Sequence, residues 1–238
     1  SPRLAPQQLQ GLQQWEVTRH LGSGSSAEVW LLEDTARRRQ LACKTPFVGT
    51  DSLELCQEAK LAGQLSHENI IKLADIDDND ELATLRDITC WELLAGGTLT
   101  DLVQATGPLT IAQTVTVVLP MIQAVQYLLA RQIAHGDISP SNILFDLTGR
   151  PVLSDLGSTR ATAHHYERSG TPGFAAPELV LGSPTQYGLD AQADIYALAA
   201  VAWFCLTGTV PGAPAHRVPL ITLRPELDAE IIEVLEAG

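Results

Sequence analysis

The sequence predicts an α+β protein, and three observations carry that prediction. Strand-like stretches gather before residue 92, with one helical period, 52–65, set among them. Long helical periods follow after residue 110. Polar loops rich in Gly, Pro, Asp and Asn separate the two kinds of element. A length of 238 residues suits one large domain or two small lobes, and a hydrophobic fraction of 45% is enough to pack a core.

In chain order, the Gln-rich start (Gln7, Gln8, Gln10, Gln13, Gln14) reads as a poorly ordered tail or a short lead-in helix over residues 1–14. Trp15 to Leu21 alternates as a strand. Gly22-Ser23-Gly24-Ser25-Ser26 is a flexible turn into a second strand, and the resulting hairpin is either a generic tip or a set of backbone N–H groups that cover phosphates. Gln40 to Thr45 is a third strand that carries Lys44, one of only three lysines. An ammonium there is costly without a partner, unless it snorkels to water at a strand edge. Ser52 to Leu65 is a helix with Leu53, Cys56, Ala59, Leu61 and Leu65 toward one side; Glu58 on it is a solvated residue or a buried partner.

Ile70 to Ile76 and Leu82 to Trp91 read as strands, and Asp77 to Glu81 as a solvated acidic loop. Thr110 to Arg131 is a long amphipathic helix kinked at Pro120. Ile195 to Val210 is shorter than the roughly 20 residues a bilayer needs, so a helix buried on all sides is expected. Gly208 to Pro219 is loop, and Pro225 to Glu236 is a last amphipathic helix.

A net charge of −13 argues against binding nucleic-acid phosphates or an anionic membrane surface. Cys43, Cys56, Cys90 and Cys205 show no C-x-x-C spacing. Neither a zinc site nor a disulfide is expected, and a reducing, cytoplasmic location fits best. Ser1 opens with no basic-then-apolar leader, so no signal peptide and a piece of a longer protein are the expectations.

The chemistry concentrates in Ala134-His135-Gly136-Asp137-Ile138-Ser139-Pro140-Ser141-Asn142. Asp137 and Asn142 sit on one loop stiffened by Pro140; a carboxylate there can accept a proton and an amide oxygen can ligate a hard cation. A second Asp follows in Ser154-Asp155-Leu156-Gly157. Alone, each piece is more often a turn. Together they resemble the catalytic loop and metal-binding loop of the eukaryotic-like (bacterial-type) serine/threonine protein kinases.

Other stretches extend the resemblance from about residue 15 to 237, in family order. Gly22, Gly24, Ala27 and Val29 resemble the glycine-rich loop, with Ala27 for its third glycine. Lys44, after Ala42, resembles the phosphate-binding lysine; Glu58 resembles its partner on the following helix, with His67-Glu68-Asn69-Ile70 trailing it. Trp91-Glu92-Leu93-Leu94 resembles the hinge, with Glu92 and Leu94 at the adenine and a bulky Trp91 at the back of the pocket. Gly170-Thr171-Pro172 to Ala176-Pro177-Glu178 resembles the peptide-binding segment, and Asp194 the carboxylate that caps the catalytic-loop backbone.

The resemblance implies a bilobal fold, with a small antiparallel-sheet lobe (15–92) and a larger helical lobe (93–238) that lacks its last helix. It implies ATP and Mg2+ as cofactors. Lys44 and Glu58 would hold phosphates, Asn142 and Asp155 the metal, and Asp137 would accept a proton from a protein hydroxyl. A protein substrate and a regulatory protein partner follow.

Three departures stand against it. Gly136 replaces the family arginine, so phosphorylation of the loop bearing Thr159 and Thr162 is not expected to be the switch. Ser139 replaces the lysine that neutralises the transferred phosphate. No arginine matches the family partner of Glu178. The expectation is a slow kinase; the alternative is a pseudokinase that serves as a nucleotide-binding or scaffold module. The adjacent His164 and His165 suit a solvated loop better than a metal site.

Overall fold

Alternating side chains build three long antiparallel strands, β1 (Glu16–Ser23), β2 (Ala27–Asp34) and β3 (Arg39–Pro46). In this computed structural model, residues 6–24, 27–34, 36–50, 52–161, 170–177, 189–212 and 217–236 are described. The readings placed on Thr162, His164, His165 and Glu178 lie outside them. Helices α1 (Leu53–Ala62) and α2 (Glu81–Thr84) precede β4 (Thr89–Glu92), which completes a sheet in the order β1-β2-β3-β4. The chain divides into two compact units, residues 1–66 with 71–94, and residues 67–70 with 95–238.

In the first unit the register sets two faces. Val29 lies opposite Lys44, and Ala42 opposite both Leu31 and Trp91. Because side chains alternate, Val29, Ala42, Lys44 and Trp91 share one face. The other face presents Trp30, Leu32, Leu41 and Cys43 to a core closed by Leu9, Trp15 and Leu82. Leu9 is 2% exposed within a 3-10 turn, Gln7–Leu9, so the Gln-rich start packs as a lead-in rather than trailing as a tail.

Several expectations are corrected here. The acidic run is not simply solvated. Asp80 is buried, caps α2 through Leu82 N–H and accepts from Trp15 Nε1 at 2.9 Å. Glu81 accepts backbone N–H bonds from Gln13, Gln14 and Trp15. The stretch 82–91 therefore begins as α2 and only ends as a strand. Residues 70–76 make isolated bridges (Ile70 with Leu153, Leu73 with Trp91) in place of a strand. On α1 the buried residues are Leu55, Glu58 and Ala62, while Leu53 and Cys56 face solvent, because that helix turns Glu58 inward.

The disulfide expectation is corrected as well: Cys43 and Cys90 are bonded, with Cα atoms 4.3 Å apart. No local spacing could show this, since the partners lie 47 residues apart and meet through the β3–β4 register.

The second unit is mainly helical. It contains α3 (Leu99–Thr106) and α4 (Ile111–Leu129). Capping boxes start both helices, Thr98 with Asp101 and Thr110 with Gln113. Pro120 falls inside α4. By length and composition α4 is apolar enough to cross a membrane. Val117, Met121, Ala124, Val125 and Leu128 are buried along one stripe of it, and it packs on helix α5 (Leu189–Thr207). The latter half of α5 is buried, but Ile195 near its start is 57% exposed, so the helix is not covered on all sides. Short helices α6 (Leu220–Leu223) and α7 (Ala229–Glu236) close the unit, with Leu220, Leu227 and Leu235 against Trp203 and Leu206. Two small two-stranded antiparallel sheets are found in it: β5 (Ile133–Ala134) pairs with β8 (Arg160–Ala161), and β6 (Ile143–Phe145) forms a hairpin with β7 (Pro151–Leu153).

Candidate active site

The first unit holds a buried ion pair. Lys44 Nζ donates to both oxygens of Glu58, at 2.6 and 2.9 Å. The Glu58 side chain is 3% exposed, and the bidentate contact offsets the desolvation of both charges. The ammonium also lies 5.3 Å from the centre of the Trp91 ring, a cation–π distance. Trp91 is itself buried and donates from Nε1 to Thr89 Oγ1 at 2.9 Å. Glu92 is tied twice to Lys72: its N–H donates to the Lys72 carbonyl and its carboxylate accepts from Lys72 N–H, both at 3.0 Å.

At the hairpin between β1 and β2, Gly24 N–H donates to the Ala27 carbonyl at 2.8 Å. Among the described residues, a Cβ added to Gly22 would meet nothing within 4 Å, and one on Gly24 only that carbonyl, at 3.8 Å. Neither residue has a positive φ. Among the described residues, no contact requires glycine at either position.

The second unit holds the loop. Asp194, on α5, accepts from His135 N–H at 2.7 Å and Gly136 N–H at 3.0 Å. Burial pushes the Asp194 carboxyl up, against the opposing pull of His135 and these two bonds. His135 is fully buried, with Nε2 3.0 Å from the Ser154 carbonyl and Nδ1 accepting from Asp137 N–H at 3.3 Å. It is a strut between the loop and the strand that leads to Asp155.

Both Asp137 oxygens are held. Oδ1 accepts from Thr171 N–H at 2.7 Å and Thr171 Oγ1 at 2.8 Å, and Oδ2 from Asn142 Nδ2 at 3.0 Å. Asn142 also donates to the Asp137 carbonyl. The β6–β7 hairpin carries Asn142 at one end and Asp155 just past the other, and Ser154 N–H and Oγ both donate to the Asn142 carbonyl. Asp155 takes a left-handed conformation (φ 59°), which the surrounding structure must hold in place. Leu156 beside it is buried. Segment 67–70 is stitched to the same hairpin: Asn69 donates to the Pro151 carbonyl at 2.8 Å and accepts from Leu153 N–H.

Two departures gain a structural account. Gly136 has φ +81°, and a Cβ there would stand 2.9 Å from the Ser158 carbonyl, so any side chain requires the backbone to shift. Ser139 is fully buried with its hydroxyl 2.9 Å from that of Ser141.

Sequence reasoning assigned no role to His135, Ser154 or the Thr171–Asp137 contact. His135 had a local signal as a histidine among apolar residues two positions before Asp137. Thr171 stood out only within the segment that resembles the peptide-binding stretch, and nothing local showed its contact with Asp137, 34 positions away.

Residues 15–220 match the protein kinase domain. The chain belongs to the protein kinase family. It is 31% identical to the DNA damage-responsive serine/threonine-protein kinase RqkA of Deinococcus radiodurans, over 83% of this chain and 30% of that protein. It is 30% identical to the serine/threonine-protein kinase PrkC of Bacillus subtilis, over 89% of this chain and 33% of that protein. The human serine/threonine-protein kinase H1 is 28% identical over 87% of this chain and 49% of that protein. The bacterial resemblance and the α+β fold, with an antiparallel-sheet lobe and a helical lobe, thus stand together. The chain spans about a third of the length of its bacterial relatives.

Proposed function

We propose that this chain is an ATP-dependent serine/threonine protein kinase that transfers the γ-phosphoryl group of ATP to a protein hydroxyl, and that it turns over slowly. The observation that carries this reading is Asp137, whose carboxylate is fixed by Thr171 on one oxygen and Asn142 on the other. That arrangement orients a carboxylate toward the role of a base, which is what accepting a hydroxyl proton needs.

The donor set fits the cofactors. Asp155 and Asn142 supply one carboxylate and one amide oxygen, the pattern of a magnesium that keeps phosphate oxygens and water as its other ligands. Lys44 supplies an ammonium fixed by Glu58 and suited to the α- and β-phosphates. Gly22 and Gly24, which no contact among the described residues requires, fit a hairpin whose backbone approaches phosphate, with Ala27 and Val29 following. Ala42, Glu92 and Leu94 would line the adenine. Bound Mg2+ and ATP supply the phosphoryl group and neutralise its charge. The residues' own part is to fix the loop, orient the hydroxyl and take its proton on Asp137. We place the reaction in the cytoplasm, on a protein substrate, under a protein regulator, without nucleic acid or membrane contact by this chain.

A pseudokinase is the second reading, favoured by one observation: the buried Ser139 presents no cation to the transferred phosphate. Loss of one charge-assisted contact costs about 2–4 kcal/mol of barrier, or roughly 10² to 10³ in rate, which slows a kinase without abolishing it. Transfer of labelled γ-phosphate to casein separates the readings. Labelling by the wild type and none by Asp137→Asn supports the kinase. Mg-ATP binding with no labelling by either protein overturns it.

A further inference from the structure

We propose that Cys43 and Cys90 form a redox-modification site, a thiol pair that a peroxide closes to a disulfide and a small dithiol reopens. The pairs Leu41–Glu92, Ala42–Trp91, Cys43–Cys90 and Lys44–Thr89 fix the β3–β4 register on both sides of the cysteines. Their Cα separation of 4.3 Å is close to the spacing, about 4.5 Å, that facing residues of antiparallel strands keep without any bond. The sheet therefore holds the sulfurs face to face in either redox state, and neither closing nor opening needs the strands to rearrange. The site stands whether or not the chain transfers phosphate.

The other cysteines do not fit the role. Cys205 is buried within α5, where burial pushes its thiol up to about 12 and keeps it protonated. Cys56 is exposed on α1 and unbonded.

Exposure sets the order of events. Cys43 is fully buried and Cys90 half-buried, so peroxide meets Cys90 first. The Cys90 thiolate attacks one peroxide oxygen, the O–O bond breaks, and a sulfenic acid and hydroxide form. Cys43 sulfur then attacks the sulfenic sulfur; the S–S bond forms and the oxygen leaves as hydroxide. The two thiol protons neutralise the two hydroxides. Two thiols and one peroxide thus yield one disulfide and two waters, with two electrons passing from sulfur to oxygen. In a reducing compartment the resting state is the dithiol, so the bond records exposure to peroxide. It ties the strand of Lys44 to the strand of Trp91, within the core that holds Trp30 and Leu32.

The test uses the full chain carrying Cys56→Ser, treated with hydrogen peroxide or with dithiothreitol. It is then alkylated, digested without reductant and analysed by mass spectrometry. The expected product after peroxide is one cross-linked peptide pair containing positions 43 and 90, two hydrogens lighter than the thiols, which dithiothreitol reverses. The oxidised chain should melt on the order of 5–10 °C higher than the reduced one, and Cys90→Ser should lose the difference. Two alkylated thiols after peroxide, a sulfinic acid at Cys90, or a cross-link that dithiothreitol does not open would each overturn the proposal.

Discussion

Asp137 takes its orientation from a threonine that belongs to a different stretch of chain. Thr171 gives it a backbone N–H and a hydroxyl, so the segment that carries Thr171 and the proposed base are set together. A hydrogen bond to a charged group contributes about 1.5–3 kcal/mol. Thr171→Ala should therefore lower kcat by roughly 10- to 100-fold, while Thr171→Ser, which keeps the hydroxyl, stays near wild type. Steady-state transfer to a protein substrate reads the difference, and equal loss in both variants would point to packing instead. Lys44, Glu58, Asp137, Asn142 and Asp155 could be singled out as candidates in the sequence because the motifs around them resemble those of the kinases. The Thr171 contact and the Cys43–Cys90 bond could not, because each joins distant positions through tertiary register.

At the scale of elements, α1 is oriented by its charge. Glu58 is buried on Lys44, whereas Glu54 on the same helix is exposed. Removing one partner of a buried pair strands the other, so Glu58→Ala should destabilise by about 3 kcal/mol or more. Glu54→Ala should stay within roughly 0.5 kcal/mol. Urea unfolding of both variants checks this, and equal effects would contradict the account.

The cap of α3 gives a pH-dependent case. Hydrogen bonds from the Thr98 backbone and then its side chain hold the Asp101 carboxyl below its ordinary 3.8. Thr148 and Arg150 likewise hold Asp146 below it. A carboxyl whose folded pKa is depressed contributes stability that is complete above the unfolded value and lost as pH falls through the folded one. Melting temperatures should therefore fall more gently below pH 3.8 in Asp101→Asn than in wild type. An unchanged acid limb would remove Asp101 from the explanation. The helix starting at Thr110 is read from its apolar period, whereas α3 is not read at all, although Asp101 stands three positions after its cap Thr98. The anchoring by Asp80 and Glu81 could not be read, since an acidic run looks solvated until its partners fold back onto it.

For the whole molecule, the strands-first order and the long helices after residue 110 conveyed the α+β class before any contact was known. The unit boundaries were harder to read, because residues 67–70 belong with the helical unit although sheet-unit residues flank them on both sides. That short insertion follows from the Asn69 side-chain amide donating to the Pro151 carbonyl and from Leu153 N–H donating to the Asn69 carbonyl, which no periodicity encodes.

The central claim is that an oriented Asp137 suffices for phosphoryl transfer although Ser139 supplies no cation. The most direct measurement is the intact mass of the wild type and of Asp137→Asn after long incubation with Mg-ATP. The account predicts added phosphate on the wild type alone. The same unmodified mass for both, in protein shown to bind Mg-ATP, would contradict it.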